Sequence, residues 1–448
     1  MNFSDKFIIY LYNLSEQQVR PDIEKAVRRC FLDYLGATLA GAKMLGDRGS
    51  KMIDALGKGN DCTIIGYKQK GNLHTASFIN GFSSHTAELD DGVISGIIHP
   101  GAPVFTSLIS VAEKYGCSFS NFIKGAFIGY EAGVRLANSI QPKHKLLGYH
   151  ASGTCGLIGA AIGVAVMLQQ PGDKLKNTLS AAVASVHGTL KVLEDGSELK
   201  PYNIASAASD AVVAAMVSEA GFKGPDNPLE GYAGFFAQNS NGEFNQEKLF
   251  KKEDGVFAIE DVYVKPYAAC RYCHPSIENA LFLRDKLNLE EINEIEIKTY
   301  ELAVNKHDMT SVDNISSAKM SIPFAVAVSL IKGSANVDAY SEESVRDSNV
   351  QNLMKMVKVL PDSEFSIEFP LKSIATMEIK LKDGSKLFTR TDAPKGESNL
   401  PLTDEELKQK FVSLAQFAGM KKIKAESLAS DILYNNNISI REILEILS

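Results

Sequence analysis

The periodicity of apolar residues changes near residue 264 of the chain. Before that point apolar residues recur mostly at helical spacing, and many positions on the packing faces are Ala or Gly. Because small residues let helix axes approach closely, this part predicts a compact helical bundle rather than a dinucleotide-binding sheet. A short run at residues 62–66 is typical of an isolated strand. The predicted helical segments are residues 23–39, 102–115, 121–137, 157–168, 175–188 and 205–220.

After residue 264 the sequence pattern is that of strands mixed with helices. Residues 292–299 and 374–381 alternate apolar and polar side chains, which is typical of half-buried strands. Asp383-Gly384 followed by residues 386–391 predicts a hairpin. Between these two strands, two segments have helical spacing, namely residues 320–332 and 342–358. Together these elements predict a separate α+β domain of residues 265–394.

The C-terminal tail returns to helical spacing. Thr403 resembles a helix N-cap, because acidic residues follow it in the first turn. We expect the tail to pack on the first domain, so that residues 1–264 and 395–448 form one discontinuous all-helical domain. The fold class is therefore predicted as mainly α with a smaller α+β domain, and a cleft between the two would suit a small substrate.

Charge and composition narrow the choice of partners and location. The formal net charge of -7 offers no overall attraction to nucleic acid or to anionic membranes, so neither is expected as a partner. Six cysteines without a recognisable secretory leader favour reduced thiols and a cytoplasmic location. Residues 151–170 carry no charged side chain but are rich in Gly and Ala, which predicts a tightly packed helix rather than a membrane span.

The first cluster of reactive side chains lies in a segment rich in glycine and proline. It contains a histidine, three carboxylates and a second histidine, namely His85, Glu88, Asp90, Asp91 and His99. Such a segment predicts a loop after a helix, where functional groups gather. Asp90 and Asp91 point in different directions on any regular backbone, so we expect only one of them to face a site. The alternative is that these carboxylates only cap helices or stabilise the loop.

Two further candidates come just before segments rich in small residues. His150 lies in Gly148-Tyr-His-Ala-Ser-Gly-Thr, and Lys200 begins Lys-Pro-Tyr-Asn. The N-terminus of a helix presents unbonded N–H groups and a favourable dipole, which suits a bound carboxylate. Taken singly, His150 could equally be a buried structural histidine and Lys200 a surface lysine.

The third cluster runs from Lys265 to His274 and contains Cys-x-x-Cys-His. Covalent haem attachment requires export, for which the sequence gives no signal. Zinc bound through Cys270, Cys273 and His274 is the better metal alternative, but the second ligand pair of a structural zinc site is missing. The cluster is better explained as a set of cations that bind a substrate with several carboxylates, namely Lys265, Arg271 and His274. Of these, Arg271 could bind one carboxylate bidentately.

Common cofactor and hydrolase motifs do not occur in suitable positions. No Gly-x-Gly-x-x-Gly or Walker pattern follows a strand, and no Gly-x-Ser-x-Gly is present. The sequence therefore gives no support for a nucleotide cofactor, and none is predicted.

The ordered set of clusters resembles the MmgE/PrpD family across nearly the whole chain. No motif is decisive alone, but the combination and its order are specific. The matching pieces are Asn80-Gly81, His85 to Asp91, His99-Pro-Gly, Gly148-Tyr-His150, Lys200 with the helix that follows it, Lys265 to His274, residues 317–323 and the tail from Asp404.

The resemblance implies both an architecture and a chemistry. It implies a large all-helical domain, a smaller α+β lid, a homodimer, and no metal or organic cofactor. The implied activity is a lyase reaction on a small di- or tricarboxylate such as 2-methylcitrate or cis-aconitate, by proton transfer next to a carboxylate. An epimerase of a dicarboxylate such as iminodisuccinate is an alternative, and a carboxylate-binding protein without catalysis is a second one.

Site roles follow from this chemistry. The candidate catalytic residues are His99, His150, Asp90, Asp91, Glu88 and Lys200. The candidate substrate-binding residues are Lys265, Arg271, His274 and His85. One departure from the family is Glu88, where an aspartate is common, and its extra methylene would shift any proton that it handles. This departure suggests a different substrate.

Overall fold

The computed structural model describes residues 1–194, 196–253 and 255–448, and these residues form two compact units. The first unit contains Met1–Val192, Leu199–Val264 and Leu402–Ser448. The second unit contains Leu193–Glu198 and Lys265–Pro401. Helices dominate both in number, so the prediction of a mainly α fold is confirmed.

The N-terminal part of the first unit contains ten α-helices and one small hairpin within the described residues. The hairpin pairs β1 (Lys58–Thr63) with β2 (Lys70–Gly71) in antiparallel fashion. The helices are α1 (Phe3–Ser15), α2 (Pro21–Leu56), α3 (Leu73–Thr86), α4 (Gly101–Tyr115), α5 (Phe119–Ile140), α6 (Lys143–Leu146), α7 (Ala151–Met167), α8 (Gly172–Ser185), α9 (Lys200–Glu219) and α10 (Phe235–Ser240).

Each predicted helical segment of this part corresponds to an observed helix, but two details of the prediction were wrong. The strand expected at residues 62–66 begins earlier, as β1, and it pairs with β2 rather than standing alone. The helix expected to reach Gly188 ends at Ser185, because Val186 is already extended, with a φ of -60° and a ψ of 136°.

Helices α5 and α7 pack with their backbones in direct contact. A Cβ added to Gly159 of α7 would lie 2.5 Å from the carbonyl oxygen of Gly129 in α5. One added to Gly163 would lie 2.7 Å from the Gly125 carbonyl oxygen. Only glycine fits at such an approach, so the small residues seen in the sequence do bring the helix axes together. All residues of α7 are buried, as expected for a packed helix.

The second unit combines short helices with one sheet. Its helices are α11 (His274–Arg284), α12 (Glu301–Val304), α13 (Ile315–Met320), α14 (Ile322–Lys332), α15 (Glu342–Arg346), α16 (Ser348–Met354) and α17 (Ser363–Glu368). Its strands are β3 (Ile292–Thr299), β4 (Val357–Pro361), β5 (Ala375–Leu381) and β6 (Lys386–Thr391), in the order β4-β3-β5-β6.

The alternating strands were predicted correctly. Strands β3 and β5 pair in antiparallel fashion with Ile295 opposite Ile379 and Ile297 opposite Met377, and all four side chains are buried. The hairpin to β6 turns at Gly384, which has a φ of 87°. Apolar side chains thus line one face of the sheet, as the period of two predicts.

The helix predicted at residues 342–358 is two short helices, and the prediction was wrong at its C-terminal end. Helices α15 and α16 account for its first part, but Val357 begins β4, which runs parallel to β3 with Ile295 opposite Val357. The Ile295 N–H donates to the Met356 carbonyl at 3.0 Å. Pairing with a strand distant in sequence therefore overrides the local helical spacing.

Two boundary segments belong to the second unit, whereas the sequence assigned them to the first. Lys306 forms an ion pair with Glu194 at 2.8 Å, and Asn314 donates to the Gly196 carbonyl at 2.9 Å. The segment 394–397 is held by Arg271, as described below. These contacts explain why Leu193–Glu198 and the stretch up to Pro401 group with residues 265–394.

The tail forms the helices α18 (Asp404–Phe417), α19 (Lys422–Tyr434) and α20 (Ile440–Leu447). Thr403 caps α18 and forms a capping box with Glu406, as its sequence predicts. Helix α18 packs on α2, where the Lys410 ammonium lies 2.5 Å from the Asp33 carboxylate. The described residues include no helix with both the length and the apolar composition needed to cross a membrane.

Candidate active site

Seven of the predicted site residues come together in the first unit. His85 lies in the last turn of α3, and the loop that follows carries Glu88, Asp90 and Asp91. His99 stands just before α4, His150 is the N-cap residue of α7, and Lys200 is the first residue of α9. The ring of His85 lies 5.0 Å from that of His99 and 5.9 Å from that of His150. Three helix ends and one loop therefore bring three imidazoles to one place.

Asp90 bridges two of these imidazoles. Its Oδ2 lies 2.7 Å from His85 Nδ1 and 3.6 Å from His99 Nδ1. His85 and Asp90 are both almost fully buried. The carboxylate therefore orients His85 and adds negative charge beside His99.

Asp91 has a separate set of partners. Its Oδ2 accepts a hydrogen bond from the Tyr130 hydroxyl at 2.5 Å, and its Oδ1 accepts from the Gly101 N–H at 3.0 Å. Burial raises the pKa of Asp91 to about 7, although the Tyr130 hydrogen bond acts in the opposite direction. A Cβ on Gly101 would lie 2.5 Å from the Tyr130 hydroxyl oxygen, so the His99-Pro-Gly motif needs its glycine at this point.

His99 is held in one tautomer by the backbone. Its Nδ1–H donates to the Asp91 carbonyl oxygen at 2.7 Å, and its own N–H donates to the Ser152 hydroxyl at 2.9 Å. Its side chain is 14% exposed, whereas that of His85 is fully buried. With the proton on Nδ1, the basic lone pair of the ring is on Nε2.

In His150 the ring proton is on the other nitrogen than in His99. The Asn203 side-chain amide donates to His150 Nδ1 at 3.2 Å, which leaves the proton of the neutral ring on Nε2. Burial, together with the nearby His85, Lys200 and His99, holds the pKa of His150 well below its usual value. The ring is thus a neutral hydrogen-bond donor at ordinary pH.

Lys200 and Glu88 form a direct ion pair within this cluster. The Lys200 ammonium contacts Glu88 Oε1, and the same oxygen lies 3.6 Å from His85 Nε2. The backbone of Glu88 has a φ of 55°, in the left-handed region that side chains rarely adopt. The loop therefore holds this carboxylate in a strained conformation beside the lysine.

The cluster also contains ligand types that metals bind. Ligand atoms of His85, Glu88 and Asp90 lie within 4.8 Å of one another. The Lys200 ammonium, however, already brings a positive charge to Glu88, and a divalent cation next to it would be repelled. His85 Nδ1 is engaged by Asp90 as well. The chemistry of this set therefore suits proton transfer better than metal binding.

The predicted substrate-binding residues of the third cluster lie in the second unit. Lys265 is fully buried there. The Arg271 guanidinium forms an ion pair with Glu397 at 2.9 Å and donates to the carbonyls of Pro394 and Lys395, each at 3.2 Å. A bidentate contact with a substrate carboxylate would require Arg271 to give up some of these contacts.

His274 does not have the hydrogen bonding of a zinc ligand. Its Nδ1 accepts from Arg271 at 2.9 Å, and its Nε2 lies 3.2 Å from the carbonyl oxygen of Ala269, to which it can only donate. Both ring nitrogens are therefore engaged, so the Cys-x-x-Cys-His sequence does not offer the three-ligand set that zinc would need.

Sequence reasoning missed three residues that shape the site. Tyr130 holds Asp91, Ser152 holds the backbone of His99, and Asn203 holds the ring of His150. Ser152 and Asn203 lie inside motifs that the sequence singled out, so their proximity to His150 and Lys200 was a usable signal. Tyr130 lies in the middle of a buried helix, and nothing in its surrounding sequence distinguishes it from a core residue.

Comparisons with known proteins identify the family of this chain. Residues 6–247 match the MmgE/PrpD N-terminal domain, and residues 267–431 match the MmgE/PrpD C-terminal domain. A cis-aconitate decarboxylase-like protein of Aspergillus oryzae is 22% identical over 440 residues, which cover 92% of this chain and 90% of that protein. The cis-aconitate decarboxylase of Mus musculus is 25% identical over 353 residues, covering 75% and 70% of the two chains.

A shorter match links the chain to a second activity. The mitochondrial 2-methylcitrate dehydratase of Yarrowia lipolytica is 28% identical over 153 residues, which cover 32% of this chain and 29% of that protein. The named activities of these relatives, decarboxylation and dehydration, are lyase reactions. Because the two domain matches together span most of its length, the chain belongs to the MmgE/PrpD family.

Proposed function

We propose that this protein is a cofactor-independent lyase that acts on a small di- or tricarboxylate by proton transfer next to a carboxylate. The observation that carries the proposal is the convergence of His85, His99, His150 and the Lys200–Glu88 pair in one buried cluster of the first unit. An ordinary structural core would not collect three imidazoles, an ammonium and several carboxylates. Membership of a family whose matched relatives are lyases supports the same conclusion.

In this proposal His99 is the base. Its Nδ1–H is committed to the Asp91 carbonyl, so Nε2 can take a proton, and Asp90 stabilises the imidazolium that results. The Lys200 ammonium stabilises the negative charge that develops on the substrate carboxylate. A correctly placed general base contributes about 100- to 10,000-fold, and one donor aimed at the developing charge about 100- to 1,000-fold.

His150 supplies the matching acid or hydrogen-bond donor through Nε2–H. In a decarboxylation the bond between carbon and the departing carboxylate breaks, carbon dioxide leaves, and the electron pair left on the carbon skeleton takes up a proton from an acid. In a dehydration a base removes the proton while an acid protonates the departing hydroxyl, which leaves as water. The same two histidines could serve either reaction.

We place decarboxylation of a cis-aconitate-like tricarboxylate first and dehydration of a 2-methylcitrate-like hydroxy acid second. The reason is the share of the chain that is matched, since the decarboxylase relatives match 75% to 92% of this chain and the dehydratase matches 32%.

The charge of Glu88 also bears on which substrate is preferred. Its ion pair with Lys200 reduces the positive charge available to the substrate, so we expect a different carboxylate pattern to be preferred.

The proposal also gives the second unit a role in substrate binding. We infer that it serves as a lid, and that Lys265, Arg271 and His274 contribute to carboxylate binding, with Arg271 acting through the segment that it anchors. Residues 265–394 as a separate lid domain, a homodimeric assembly and a cytoplasmic location stay predictions of the sequence and of the family.

The experiment is a substrate panel followed by NMR in deuterated water. The purified protein is incubated with cis-aconitate, 2-methylcitrate, citrate and iminodisuccinate. Loss of carbon dioxide or water from one compound supports the lyase, whereas epimerisation of iminodisuccinate would favour the alternative reaction. Solvent deuterium in recovered substrate would show proton abstraction even without net turnover. Tight binding with neither turnover nor exchange would identify a carboxylate-binding protein and overturn the proposal.

A further inference from the structure

We propose that Asn203 is a positioning residue that fixes His150 in the tautomer with its proton on Nε2. The inference rests on the proposed function, in which His150 donates a proton or a hydrogen bond to the substrate. It adds a residue that has no direct part in the chemistry but decides which ring nitrogen can take part.

The geometry leaves one assignment for the hydrogen bond between the two side chains. Asn203 Nδ2 lies 3.2 Å from His150 Nδ1 and also 3.2 Å from the carbonyl oxygen of Thr189. A carbonyl oxygen can only accept, so it selects the amide nitrogen of Asn203 as the atom on that side. An amide nitrogen can only donate, so His150 Nδ1 must be the acceptor and must lack a proton.

The surroundings keep the ring neutral, which makes the choice of tautomer matter. His150 is 5% exposed and Asn203 is 4% exposed. Burial, and after it His85, Lys200 and His99, disfavours a positive charge on the ring, whereas Glu88 favours one. A neutral imidazole has one donor and one acceptor, so an acceptor at Nδ1 means that Nε2 carries the hydrogen.

Helix α9 supplies both groups that act here. Lys200 and Asn203 are three residues apart in its first turn, so their side chains lie on the same side of the helix. The helix thus presents the ammonium and, beside it, the amide that orients the imidazole. A single change in the position of α9 would move both.

A purely structural role is the competing explanation, because the Asn203 amide also anchors the backbone at Thr189. The two explanations differ in one measurable property. A structural role predicts a loss of stability upon substitution with an unchanged His150 tautomer. A positioning role predicts a change of tautomer that is accompanied by a loss of turnover.

The direct test is nitrogen NMR of protein labelled at histidine, with the His150 signals assigned by their loss in His150→Gln. In the unsubstituted protein we expect Nε2 to have the shift of a protonated ring nitrogen and Nδ1 that of an unprotonated one. This measurement needs no change at residue 203. A proton on Nδ1 would overturn the inference.

The variant test replaces the donor by an acceptor. In Asn203→Asp the carboxylate accepts from Nδ1–H, so we expect the His150 proton to move from Nε2 to Nδ1. We expect kcat to fall at least about 100-fold with KM changed less than about threefold, because the acid is lost while binding is kept. An unchanged tautomer in this variant would contradict the inference.

A matched control separates this effect from the cost of burying an aspartate. Asn80 is also fully buried in the first unit, and its amide nitrogen donates to the Thr63 carbonyl at 3.0 Å. Asn80→Asp should leave the His150 signals unchanged. If Asn203→Asp does not fold, Asn203→Ala compared with Asn80→Ala provides the same contrast. The absence of both turnover and deuterium exchange with every substrate of the panel would refute the proposed function but not the tautomer.

Discussion

The Tyr130 hydroxyl donates to the Asp91 carboxylate across 2.5 Å, and both side chains are almost completely buried. Burial nevertheless dominates and raises the pKa of Asp91 to about 7, from an ordinary value of 3.8. The folded protein therefore holds a proton that the unfolded chain has already lost between these two pH values. The contribution of Asp91 to stability is greatest below about pH 4 and is lost as the pH rises to about 7.

The Asp91→Asn variant should remove this dependence. Relative to the unsubstituted protein, its free energy of unfolding should increase as the pH rises from about 4 to about 7, by at most about 1.4 kcal/mol per pH unit. Urea unfolding at several pH values measures the difference. A constant difference across this range would show that Asp91 ionises normally in the folded protein.

Replacing His99 by alanine should abolish turnover and leave the fold intact. We expect kcat to fall by about 100- to 10,000-fold, because the proposed base is lost. The midpoint of thermal unfolding should change little, since the His99 side chain is the most exposed of the three clustered imidazoles. The measurement pairs steady-state kinetics with thermal unfolding. Full activity in His99→Ala would refute the role of base.

Lys200 should contribute separately to stability and to catalysis. Lys200→Met leaves the buried Glu88 carboxylate without its ammonium partner and should cost about 3 to 5 kcal/mol of stability. The double variant Lys200→Met/Glu88→Gln should recover most of that stability but remain inactive. Recovery of activity in the double variant would mean that the lysine only neutralises the glutamate.

Removal of metal ions should have no effect on activity. The Lys200 ammonium repels a divalent cation near Glu88, and the ring nitrogens of His274 are engaged by Arg271 and Ala269. We therefore expect full activity after exhaustive EDTA treatment and much less than one zinc ion per chain by elemental analysis. Stoichiometric zinc whose removal stops turnover would point to a metal site instead.

Gly101→Ala should destabilise the protein by about 1 to 3 kcal/mol, because its Cβ would collide with both the Tyr130 hydroxyl and the Asp91 carboxylate. Gly172→Ala is the matched control, since the nearest atom to its added Cβ is at 3.7 Å, in the Tyr12 ring. Thermal unfolding of the two variants should differ clearly. Equal midpoints would show that the loop at Gly101 adapts without cost.

The sequence predicted those features that depend on local pattern. Strand β3 was predicted at its exact bounds, because alternation over eight residues has no helical interpretation. Strand β4 was missed, because it is short and exists through its pairing with β3, which no local pattern encodes. At the site, motifs indicated His85, His99, His150 and Lys200, but the hydrogen bonds that set their proton positions depend on contacts distant in sequence.

The direct backbone contact between α5 and α7 limits which substitutions this protein can accept during evolution. Tyr130 follows Gly129, and His150 immediately precedes α7, so both depend on helices that cannot slide apart to admit a methyl group. New substrate preferences would therefore arise more readily through the loop that carries Glu88 than through these helices. Laboratory evolution of the chain should accumulate changes around residue 88 while Gly129 and Gly159 persist.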